Sequence, residues 1–144
     1  MSRVFFAARA LIAALGLGVA AAASAHHSYA MFDGERTLTV KGTVAKLEWT
    51  NPHVFIWMYV PNSAVESGFD LYAFENGSPN VLARSGWSKD TFAAGEELTI
   101  EYWPLLDGRT GGHFRQATRA DGSTLRGAGG PRGVDGSLPP ETVR

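Results

Sequence analysis

The chain has 144 residues, no cysteine, 44% hydrophobic residues, and 13 basic against 14 acidic side chains for a formal net charge of −1. That length suits one domain with one core. The lack of thiols excludes a cysteine nucleophile, a zinc–thiolate centre, a disulfide framework and a covalently attached c-type haem. The weakly acidic balance argues against nucleic acid as a partner, because phosphate binding needs a basic face.

Residues 1–25 read as a signal peptide. Arg3 and Arg9 form a basic start, and the apolar run 10–22 carries Leu11, Ile12, Leu15, Leu17 and Val19. That run falls short of the roughly 18 apolar residues that span a bilayer, so no stable membrane span is expected after processing. Ala23-Ser24-Ala25 fits the small-x-small pattern of signal cleavage. The expectation is export, to a bacterial periplasm or beyond, with a processed chain starting at His26. Processing leaves 119 residues (144 less 25). With two arginines gone, 11 basic residues face 14 acidic ones, a net charge of −3.

Residues 26–35 read as an N-terminal arm with a turn at Asp33-Gly34. A long strand follows at 36–49. Leu38, Val40 and Val44 share one phase, whereas Ala45, Leu47 and Trp49 share the other. Strand side chains alternate with period two, so this phase change predicts a bulge or bend, with Gly42 as the permissive residue beside it. Asn51-Pro52 makes a corner, because proline fixes φ and biases its predecessor away from helix. Strand two covers 54–60. Val54, Ile56, Met58 and Val60 face one way; His53, Phe55, Trp57 and Tyr59 face the other.

A polar turn leads to strand three at 69–75, apolar on both faces. Ser78-Pro79 predicts a helix start, with serine as N-cap and proline at the first helical position. Gly86 marks its end. Val81 and Leu82 are expected to supply its buried face, and Trp87 to plug the barrel end or pack on the helix. Strand four is placed at 97–103, a glycine-rich tip at 107–112, strand five at 113–120 and a short run at 123–126. Residues 127–144 hold five glycines and three prolines. So little apolar area cannot offset ordering entropy, and a disordered tail is expected.

Three strands, a short helix and two strands form the order of an OB-like five-stranded Greek-key barrel, all-β apart from the helix between strands three and four. The domain is therefore placed at 36–126. An immunoglobulin-like sandwich would need about seven strands and no such helix.

The His26-His27-Ser28 start, the Glu48-Trp49-Thr50-Asn51-Pro52-His53 corner, and Ser78-Pro79-Asn80-Val81-Leu82 with Gly86-Trp87 carry a resemblance. The chain resembles a family of small exported bacterial proteins known only as a domain of unknown function. The resemblance runs from residue 26 to about residue 126. It implies export and a single domain, and it brings no reaction.

Two constellations could carry chemistry. A processed chain starting at His26 presents an α-amine and an imidazole on one residue, a chelating pair for Cu(II). A third nitrogen would come from His53 or His113, with His27 geometrically less suited. The second is the corner with the strand-two stripe: Trp49, Asn51, His53, Phe55, Trp57 and Tyr59 form an aromatic face where OB barrels take ligands. Aromatics on both faces of a strand also fit plain burial, and His53 fits a hydrogen-bonding strut. Glu48, Glu75 and Asp33 are carboxylates whose convergence the spacing does not show, and no hydrolase or phosphate-loop motif accompanies them. The leading expectation is a non-catalytic exported binding or accessory module for a small molecule or a partner protein. A copper-binding protein is second, and a copper-dependent oxidase third.

Overall fold

The computed structural model describes residues 29–128 and 141–142. Residues 1–28, including His26 and His27, lie outside the described residues, as do 129–140 within the expected tail. The remarks that follow concern the unit that begins at Phe32.

Strand β1 runs Leu38–Trp49, β2 Val54–Asn62 and β3 Gly68–Glu75; helix α1 spans Pro79–Arg84; β4 is Glu97–Pro104, β5 Gly111–Arg119 and β6 Thr124–Arg126. A two-residue β7, Glu141–Thr142, lies parallel to Leu38 and Thr39. Strand β1 serves two neighbours. Residues from Leu38 to Thr43 pair with β4, and from Thr43 to Trp49 with β2, both antiparallel. Antiparallel β2–β3 and β4–β5 pairs and a parallel β3–β5 pair complete the ring in the order 1-2-3-5-4-1. This is the OB-like Greek-key barrel that the element order predicts. Among the described residues no helix is long and apolar enough to cross a membrane.

The phase change in β1 resolves into a bulge between Val44 and Lys46. Before it, Leu38, Val40 and Val44 fill the barrel; beyond it, Leu47 and Trp49 pack against the same core from half-buried positions. Gly42 has a different reason from the expected one. A Cβ there would meet the Tyr59 carbonyl oxygen at 2.5 Å and the Met58 and Val60 side chains at 3.1 Å. The residue makes room for β2 rather than hinging the bend.

Alternation in β2 gives the barrel its filling. Val54, Ile56, Met58 and Val60 point inward with Phe74, Leu98, Ile100, Phe114 and Ala117, and all are buried. Helix α1 begins as predicted, with Ser78 extended and Pro79 next, but the serine hydroxyl makes no capping bond. Its backbone carbonyl accepts from Val81 N and Leu82 N instead, each at 3.0 Å. Only Leu82 of the predicted pair is buried; Val81 is 43% exposed. A six-residue helix shows the barrel less than two turns, too short a stripe for adjacent residues to share. Gly86 takes φ +84, the left-handed turn that releases the chain. Trp87 then seats edge-on to Phe92 and Phe114, with ring centroids 5.4 Å apart in both cases, and its indole N–H donates to the Arg126 carbonyl at 3.0 Å. That N–H bond lets a large polar-tipped ring sit in the core without a desolvated donor.

Candidate functional site

The β2–β3 hairpin turns its second face outward. Register sets Phe55 opposite Glu75, Trp57 opposite Ala73, Tyr59 opposite Leu71 and Pro61 opposite Phe69. Inward residues are consumed by the core, so this outer set is what the hairpin offers to its surroundings. Tyr59 is 51% exposed, Leu71 47% and Phe69 63%. Scattered apolar residues on a surface are ordinary; large ones in cross-strand register form a patch.

The indole of Trp57 is not a bare platform. Its Nε1 donates to Glu48 Oε2 at 3.1 Å, and Lys46 Nζ lies 5.2 Å from the ring centroid and 2.6 Å from the same Glu48 oxygen. The Lys46 hydrogen bond above all holds the Glu48 carboxyl below its ordinary range, with the Trp57 bond adding to it and burial opposing. Phe55 tilts against Trp57 at 6.2 Å. The stripe thus grades from a tethered, half-buried Phe55–Trp57 end to an open Tyr59–Leu71–Phe69 end.

At the tethered end sits the corner. The Asn51–Pro52 bond is cis and both residues are exposed, while Trp49 is half-buried against the core. His53 Nδ1 lies 3.0 Å from Glu75 Oε1 and 3.2 Å from the Asn76 carbonyl oxygen. Both partners are acceptors, so Nδ1 carries the hydrogen and the neutral ring keeps its lone pair on Nε2. Burial pushes the Glu75 carboxyl above its usual value, with His53 pulling in the opposite direction. The spacing gave Glu75 no partner; the register sets it beside His53. Asn76 behind it is buried, and its Oδ1 accepts from Gly77 N at 2.8 Å and Ala128 N at 3.0 Å. Ala128, from the segment assigned to the tail, is thereby fastened to the barrel.

His113 sits elsewhere on the outer wall and is only 2% exposed. It stacks on Trp103 at 5.5 Å and 27°, and Phe32 of the arm covers it at 5.4 Å. Arg115 lies over Trp103, 4.1 Å from the centroid. A ring so enclosed is packed rather than offered. Among the described residues no group of three or more His, Asp or Glu converges to hold a metal ion. Glu48 and Glu75 have separate partners, and Asp33 accepts from Glu35 N at 3.2 Å.

The sequence did not single out Phe69, Leu71 and Pro61. Phe69, Leu71 and Ala73 do alternate with Asp70, Tyr72 and Phe74, but both sets hold apolar residues, so periodicity alone leaves the outward set undecided.

A family model described as a family of unknown function (DUF6152) matches residues 15–115. No curated protein and no solved structure matches the chain.

Proposed function

The chain belongs to that family of unknown function, and from this premise we propose that it is an exported, non-catalytic accessory module that docks a partner protein on the outer face of the β2–β3 hairpin. The observation that carries this reading is the registered patch of Tyr59, Leu71 and Phe69, each about half exposed or more. A flat apolar strip with aromatic anchors suits a protein surface better than a small ligand, which needs a concavity. The patch also lies on the OB face used for recognition in that architecture. Export is supported by the basic start, apolar run and Ala23-Ser24-Ala25 of the precursor.

The test is site-specific photo-crosslinking in cells that process the precursor. A photoreactive residue at Tyr59 should give one discrete adduct, and Phe69→Asp with Leu71→Asp should abolish it. The same residue at Lys89, exposed outside the hairpin, should give none. Equal adducts from both positions refute the docking face. Intact mass of the purified chain tests the start at His26.

One observation favours a second reading, copper binding. His53 is oriented through Nδ1 by Glu75 and Asn76, the kind of outer-shell support that ligating histidines have. His26 and His27 would supply the remaining nitrogens, whereas the packed ring of His113 does not fit that role. Cu(II) titration of the processed chain by EPR decides: binding lost in His53→Ala with the fold intact supports it. Binding that does not saturate removes it, and the copper-dependent oxidase with it.

A further inference from the structure

A cavity of about 240 Å3 opens between the start of β1, the end of β4 and the β4–β5 loop. It is separate from the docking face, and nothing in the proposed function uses it. Its walls include Arg36, Leu38, Tyr72, Tyr102, Leu105 and Arg109. The polar side chains among these are hydrogen-bond donors, and no acidic side chain lines it. Arg36 makes no ion pair among the described residues, whereas Arg109 Nε donates to Asp107 Oδ2 at 2.8 Å. Arg36 is thus the uncompensated cation of the wall.

The tyrosines strengthen this bias. Tyr102 is only 3% exposed, yet neither its hydroxyl nor that of Tyr72 has a protein hydrogen-bond partner among the described residues. Neither hydroxyl is a buried, unpaired atom, so both open on the cavity and are free to donate into it. Burial raises both phenols, Tyr102 to about 12, so both keep their protons and can donate at physiological pH. The two rings meet edge-on at 6.3 Å and, with Leu38 and Leu105, give the cavity an apolar lining. A cavity of about 150 Å3 holds benzene, so this one has room for such a ring with a charged substituent.

We propose that this cavity binds a small organic monoanion, a carboxylate on a compact flat apolar body, with Arg36 as the charge partner and Tyr72 and Tyr102 as hydroxyl donors. Charge-assisted bonds from guanidinium to carboxylate provide the recognition, and ring contacts accommodate the body. The β4–β5 loop that roofs the site is held to β3 by Thr110, whose hydroxyl donates to the Leu71 carbonyl at 2.9 Å.

The test uses benzoate as the probe, with benzylamine and benzyl alcohol as shape-matched controls, against the full chain followed by amide chemical shifts. Benzoate should saturate, with shifts concentrated at Arg36, Leu38, Tyr102 and residues 108–111. Benzylamine should give none, and the alcohol should bind at least about tenfold more weakly. Arg36→Gln, at an exposed position, should keep the fold and weaken benzoate by about tenfold or more. Arg84→Gln, on the far side of the sequence in α1, should change nothing. Equal binding of the cation, shifts centred outside the cavity, unchanged affinity in Arg36→Gln, or no saturation at millimolar benzoate each overturn the proposal.

Discussion

Replacing Tyr102 by Phe isolates one buried phenol. Burial pushes that phenol from its ordinary 10.0 up to about 12, the nearby Tyr72 phenol adds to the rise, and Arg36 opposes it. A phenol raised in the folded state contributes stability that is fully present below pH 10 and is lost as pH climbs from 10 to about 12. Two units at about 1.36 kcal/mol each set the loss near 2.7 kcal/mol. Tyr102 borders the cavity, so water reaches its polar end and the measured figure should fall somewhat below that limit. Urea midpoints of the wild type and Tyr102→Phe, taken from neutral pH upward, should diverge above pH 10, with the variant losing less. Tyrosinate absorbance should show the last-ionising phenol of the wild type absent from the variant. Parallel pH dependence in the two proteins refutes this account of Tyr102.

Three further outcomes follow from the same geometry. Asn76→Ala deprives two backbone N–H groups of their shared acceptor and should cost about 2–3 kcal/mol by urea unfolding, well above a surface change. Glu75→Gln removes a carboxyl whose folded value is raised, chiefly by burial. Wild type and variant should match at strongly acid pH, and the wild type should lose ground to the variant as pH rises through and above the ordinary glutamate range. Phe69→Asp with Leu71→Asp should leave the unfolding midpoint within about 0.5 kcal/mol of wild type, since neither side chain supports the core.

Local signals in the chain reached as far as the elements and the inward face of β2. Val54, Ile56, Met58 and Val60 were legible because their alternation is strict and a proline corner fixes where it starts. The phase change of β1 was legible for the same reason, and its bulge falls at Ala45, where the two phases meet. What stayed hidden depends on pairing across distance. His53 meets Glu75 only because Phe55 pairs with Glu75 in register. Phe69 and Leu71 face outward only because Phe74 is drawn inward where β3 joins β5. Arg36, Tyr72, Tyr102 and Arg109 come from separate elements, and no spacing relates them. His113 read as a possible ligand by residue type; its neighbours Phe32 and Trp103 are set by the arm and by β4.

The parallel seam between β3 and β5 spans only Ala73 to Glu75 against Gly111 to His113, the shortest in the ring. Gly111 permits it, since a Cβ there would overlap the Ala73 carbonyl oxygen, while Gly112 makes the matching room for β4, where a Cβ would overlap the Trp103 carbonyl oxygen. In folding, the β1–β4 pairing closes a longer stretch of chain than this seam does, but it has six residue pairs to offset that cost and the seam has three. With the fewest residue pairs in the ring it should open most readily in the native state, so amide exchange there should outpace that of the β2–β3 hairpin. Gly111 and the adjoining loop also border the cavity. The weakest junction of the barrel therefore also forms one wall of the cavity, so loosening the ring there would reshape the proposed anion site.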